Sequence, residues 1–142
     1  MLEKIQRKQK KAIFNYLENR YGIPQEIFKK YELYSGSEEK ISLGPKNILK
    51  FTINTGLLIL RKEKPTTSFF QTFGKYVSKN YIILDKEQTL DYIRGKDLEI
   101  NSELQGFILI KYENFNIGCG FIKNNLLKNQ LPKTRQTELK FI

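Results

Sequence analysis

The feature that most restricts the fold of this chain is the punctuation of its second half. Tyr81-Ile-Ile-Leu84 is a short apolar run, and Asp85 follows with Gln88 three residues on. That pair forms a variant of the capping box, which satisfies N–H groups left unpaired in the first turn of a helix. The helix continues through Leu90 and Ile93 to Arg94, and Gly95 supplies the position just past its end. Phe107–Tyr112 and Phe115–Ile122 then read as strands joined by a tight Glu113-Asn114 turn. Lys123-Asn124-Asn125 turns the chain once more into Leu126-Leu127. One short helix among strands with polar turns predicts a small closed or nearly closed barrel.

The first half is patterned differently. Residues 2–20 read as an amphipathic helix with Leu2, Ile5, Ala12, Ile13, Tyr16 and Leu17 near one face. Arg7, Lys8, Lys10 and Lys11 lie mostly off that stripe. They are either phosphate or membrane-surface contacts or the solvated back of a packing helix. Gly22 stops the helix, and Pro24 opens a second short one through Phe28. Ile41–Leu43 is a strand ending at Gly44-Pro45. Leu49–Ile53, the turn Asn54-Thr55-Gly56 and Leu57–Leu60 read as a hairpin whose second strand is buried on both faces. Thr66 or Thr67 caps a helix over residues 68–73, after a basic cluster at Arg61, Lys62 and Lys64. The expected architecture is α+β: an N-terminal helix and hairpin module (1–77), then a small β-barrel with one embedded helix (78–142).

Charge narrows the partners. The chain has 25 Lys and Arg against 15 Asp and Glu, a formal excess of +10, which favours polyanions, nucleic acid first. The excess is uneven. Residues 1–77 carry 15 basic and 7 acidic side chains, residues 78–113 carry 5 and 7, and residues 114–142 carry 5 and 1. A polyanion is therefore expected on the first half and the last strand region, away from the acidic helix face at Asp85, Glu87 and Asp91. Cys119 is the only cysteine and there is no histidine, so neither a disulfide nor an ordinary zinc site is expected. A reducing, cytoplasmic setting fits. No apolar run reaches the roughly 20 residues needed to span a bilayer. Carboxylates pair only as surface-like neighbours such as Glu38-Glu39, and no triad, P-loop or metal-ligand spacing is present.

Two stretches carry a family resemblance. Phe73–Leu84 followed by Asp85-Lys-Glu-Gln and Tyr92-Ile-Arg-Gly-Lys-Asp-Leu98 is the first. Gly106–Tyr112 with Asn116-Ile-Gly-Cys-Gly-Phe-Ile-Lys-Asn-Asn-Leu-Leu-Lys-Asn-Gln-Leu-Pro-Lys133 is the second. Together they resemble the tail of Sun-type RNA 5-methylcytosine methyltransferases over about residues 70–135. The resemblance implies a PUA-like RNA-binding barrel, with the embedded helix and its neighbouring loop bordering the RNA groove. The sequence leaves no room for the methyltransferase domain, has no glycine-rich S-adenosylmethionine loop, and lacks the cysteine pair that the family's chemistry uses. The expectation is therefore a non-enzymatic chain with no cofactor. Its partners would be structured RNA (rRNA or pre-rRNA), a separate RNA methyltransferase or a ribosomal particle, and no membrane.

Several side chains are candidates for RNA contact. Lys123, Lys128, Lys133 and Arg135 offer phosphate contacts, and Asn129 offers an amide to a base or ribose edge. The competing account is a strand edge protected by lysines. Arg94 and Lys96 either border the RNA groove or complement the helix dipole. Lys75, Lys79 and Asn80 would extend the same surface. Gly118 and Gly120 admit either close approach by RNA or a barrel corner that needs glycine. Cys119 reads as a buried structural thiol. Two other functions remain. One is a protein–protein adaptor using Phe69, Phe70 and Phe73 as an exposed patch. The other is a small enzyme built on converging carboxylates.

Overall fold

A computed structural model describes residues 3–46 and 56–132. The expected strand over 49–53 and its turn at Asn54-Thr55 lie outside the described residues, as do Leu2, Lys133 and Arg135.

The order is β1 (Glu3–Lys4), α1 (Arg7–Tyr21), a 3-10 turn (Gln25–Phe28), β2 (Tyr31–Ser35), β3 (Lys40–Pro45), β4 (Leu57–Arg61), β5 (Lys64–Pro65) and α2 (Thr67–Phe73). Next come β6 (Tyr81–Leu84), α3 (Lys86–Ile93), β7 (Leu98–Glu99), β8 (Gly106–Tyr112), β9 (Phe115–Lys123) and β10 (Leu126–Asn129). The α+β architecture is as expected. β1 to β5 form an antiparallel sheet in sequence order. The second sheet runs β6-β8-β9-β10-β7 and curls into a half-barrel with α3, with β6 parallel to β8 and the other pairs antiparallel.

The first helix differs from its expected form. It begins at Arg7, because Ile5 is drawn into an extended segment whose N–H donates to the Leu33 carbonyl at 2.9 Å. Its buried face is Phe14, Leu17 and Tyr21, whereas Ala12 is exposed and Tyr16 is 40% exposed. Phe14 stacks on Phe28 with ring centroids 5.0 Å apart, which rotates the helix away from the Ala12–Tyr16 side. Gly22 closes the helix at φ 73. Thr66 caps α2, its hydroxyl oxygen accepting from Phe69 N–H at 3.0 Å. Phe69, Phe70 and Phe73 are all buried, so they form core and no exposed patch.

The centre of the half-barrel is covered on both faces, which explains the unbroken apolar run of β8. Leu109 and Cys119 join α1, α2 and the first sheet in one core. Ile108, Ile110, Ile122 and Leu127 face the other way, onto Tyr92 and Ile93 of α3. Burying each such side chain stabilises the fold by roughly 1.5–3 kcal/mol. Among the described residues no helix is long and apolar enough to cross a membrane.

A Cβ on Gly22 would sit 2.0 Å from Ser78 Oγ, at a backbone angle that side chains disfavour. Gly22→Ala should therefore lower unfolding stability by about 1–2 kcal/mol in urea titration. Adding Ser78→Ala should recover only the part due to the clash.

Candidate nucleic-acid interface

The corner of the half-barrel is built by α3 and the loop that leads from it to β7. Gln88 N–H donates to Asp85 Oδ1 at 2.7 Å, and Asp85 N–H donates to Gln88 Oε1 at 3.0 Å, so the capping box is reciprocal. The far end of α3 is fastened through Tyr92, whose hydroxyl donates to the Cys119 carbonyl of β9. Burial raises the Tyr92 pKa, keeping that hydroxyl a proton donor. The chain then leaves through exposed Arg94, Gly95 at φ 94, and exposed Lys96, whose Nζ lies 3.6 Å from Asp91 Oδ1.

Asn129 ties this loop to β10. Its Nδ2 donates to the Tyr92 carbonyl at 2.5 Å and the Lys96 carbonyl at 3.1 Å, and its Oδ1 accepts from Leu131 N–H at 2.9 Å. Its own N–H donates to Asp97 Oδ1 at 2.8 Å. The amide hydrogens are thus engaged within the fold, and they hold Arg94 and Lys96 beside the strand carrying Lys128. On β10, Leu127 points into the core while Lys128 is exposed opposite Phe121. Exposed Lys123 ends β9 before the Asn124-Asn125 turn, where both residues have positive φ, a pattern that suits a two-residue hairpin. Arg94, Lys96, Lys123 and Lys128 are therefore the described cations of this domain's rim.

The other expected contacts lie elsewhere. Asn80 adopts φ 57, donates from Nδ2 to the Arg20 carbonyl at 2.5 Å, and accepts Leu109 N–H on its carbonyl at 3.1 Å. Lys79 Nζ lies 3.5 Å from the Asn19 carbonyl, and Lys75 Nζ sits 5.2 Å from the centroid of the Tyr76 ring. Asn80 and Lys79 thus serve the contact with the end of α1. Gly118 and Gly120 are both buried. A Cβ at Gly118 would meet Leu131 Cδ2 at 2.7 Å, and one at Gly120 would meet Leu127 Cδ1 at 2.6 Å. Core side chains make the close approach there. Cys119 is fully buried, and burial pushes its thiol up to about 12, with Lys64 acting in the opposite direction. Among the described residues, no three His, Cys, Asp or Glu side chains gather as a metal site.

One pair of residues was absent from the expected contacts. After Lys128 the chain runs through Gln130 and Pro132, which line a groove of about 250 Å³ whose other walls include Arg61, Lys64 and Ser68. The basic run at Arg61 was visible in the sequence. Its meeting with residues some 70 positions later was not, because no local pattern encodes it.

Residues 79–136 match the family model of the methyltransferase RsmF PUA domain. No curated protein matches the chain. The matched PUA region starts at Lys79, covers β6 to β10 and includes every described cation of the rim. It agrees with the resemblance read from the residues. A PUA domain is an RNA-binding module and does not itself carry methyl-transfer chemistry.

The role of Asn129 is testable. Asn129→Ala should cost about 2–3 kcal/mol of unfolding stability, since it strands several main-chain groups. Lys128→Glu should cost no more than about 0.5 kcal/mol. Equal effects of the two substitutions in denaturant titration would contradict the assignment.

Proposed function

We propose that this chain binds structured RNA, ribosomal RNA or its precursor, as a non-catalytic accessory factor in ribosome biogenesis or RNA modification in the cytoplasm. Residues 1–77 form the supporting module and residues 78–142 the PUA-like domain. The observation that carries the proposal is that exposed Lys128 on the last strand leads into a groove with basic walls. From Lys128 the chain passes Gln130 and Pro132 into the groove walled by Arg61 and Lys64, so cations of both halves lie along one path. Lys and Arg would meet phosphates, while the rigid rim would read the shape of a helix or its junction. Lys133 and Arg135 follow in the sequence and carry two further positive charges. The adaptor alternative loses its surface, because Phe69, Phe70 and Phe73 are core.

Affinity for a structured RNA should fall log-linearly with salt, by roughly 0.7–0.9 per phosphate contact. Lys123→Glu with Lys128→Glu should weaken binding strongly in a protein of unchanged stability. Glu87→Lys, on the acidic face of α3, should leave binding equal or slightly tighter. An affinity that ignores both salt and the paired reversal would refute the proposal.

A further inference from the structure

A second basic surface lies on the N-terminal module and shares no residue with the groove at Arg61. Lys4 of β1 and Arg7, Lys10 and Lys11 of α1 line a trough with Glu32 of β2 among its walls. A neighbouring groove shares Lys10, Phe14 and Gln25 with it and adds Glu26 and Lys29, so the two are continuous.

Three observations set this surface apart from an ordinary solvated helix back. First, the cations stand where the helix itself disfavours them. The aligned peptide dipoles make the start of a helix electropositive, yet the first turn of α1 has no acidic residue, and Gln6 makes no side-chain cap. Second, the acid among the walls formed by Lys4, Arg7, Lys10 and Lys11 is nearly buried and committed, while exposed Glu26 belongs to the neighbouring groove. Glu32 is 7% exposed, with its carboxylate 3.0 Å from Lys10 Nζ and 3.7 Å from Lys4 Nζ. It holds two ammonium groups in place while presenting little negative charge to solvent. Third, Arg7, Lys8 and Lys11 are exposed and have no ion-pair partner among the described residues.

From this placement we infer that the trough is a second docking surface for the phosphate backbone of RNA, engaging an arm that extends beyond the segment held at the PUA rim. The inference rests on the RNA-binding reading of the rim. A membrane surface is the poorer occupant. The apolar face of α1, with Phe14, Leu17 and Tyr21, is spent in the core, so little remains to insert among lipids. Contacts made only to phosphates position an RNA without reading its sequence. The trough should therefore add affinity evenly over RNAs of different sequence.

The test is Arg7→Glu with Lys11→Glu in the full chain, which leaves the Glu32 pairs with Lys4 and Lys10 intact. The reversal puts an acid at position 7, in the first turn of α1 where the dipole favours it, and leaves position 11 solvent-exposed, so the thermal midpoint should hold or rise. Affinity for a long structured RNA should nevertheless fall by about tenfold or more. The salt slope should shrink by about two, equally for RNAs of unrelated sequence. Stability and affinity moving in opposite directions is a signature that a merely structural role would not give. Unchanged affinity in this variant, while the Lys123 and Lys128 reversal still abolishes binding, would overturn this inference alone. No RNA binding by the unsubstituted chain would overturn the RNA reading itself. Loss of binding to phosphatidylserine vesicles, with RNA affinity unchanged, would overturn it in favour of a membrane.

Discussion

Tyr21 holds the last turn of α1 against the start of β8, and the arrangement of the two sheets depends on that contact. Its ring is fully buried, edge-on to Phe70 with centroids 5.3 Å apart, and its hydroxyl donates to the Phe107 carbonyl at 2.8 Å. Its own carbonyl accepts Ser78 N–H at 2.9 Å and Lys79 N–H at 3.3 Å. Arg20 beside it donates from its guanidinium to the carbonyls of Gln105 and Phe107. Burial raises the Tyr21 pKa, so the hydroxyl remains a donor across the working pH range. A buried, satisfied network of this kind fixes one relative placement of its parts, because any other would strand the polar groups.

The placement has consequences at both surfaces. With α1 seated on β8, Leu109 and Cys119 become core to the first half while Ile108 and Ile110 remain core to the second. β9 and β10 then bring Gln130 and Pro132 to Arg61 and Lys64. The rim lysines and the α1 cations thus sit on secondary structure joined through β8 and β9, which contribute side chains to both cores. A surface that is rigid before binding loses less entropy on meeting a polyanion.

How far each physical cause reaches along the chain decides whether the sequence shows or hides it. The Asp85–Gln88 box, the Gly22 and Gly95 stops, the Thr66 cap and the Asn124-Asn125 turn act within a few residues and were legible, the cap only as Thr66 or Thr67. β2 was missed because Glu32 interrupts its apolar pattern, and only the structure shows that carboxylate paired to Lys10. β1 and β7, two residues each, exist through their partners rather than through any propensity of their own. The face of α1 was read rightly at Ile13 and Leu17 but not at Ala12 and Tyr16, because Phe28, beyond the helix, decides which side is buried. Among the site residues, exposed Lys123 and Lys128 could be read as solvent-facing from strand alternation. Asn80 and Asn129 have the right chemistry for RNA, yet their amides are engaged by carbonyls of Arg20, Tyr92 and Lys96, residues far away in sequence.

The central claim is that RNA meets the PUA rim. Ultraviolet crosslinking of the full chain to structured RNA, with the crosslinked peptides identified by mass spectrometry, tests it most directly. Binding at the rim predicts crosslinks on the peptides that carry Arg94 to Lys96 and Phe121 to Lys128. Crosslinks confined to the acidic face of α3 around Asp85 and Glu87, or none at all, would contradict it.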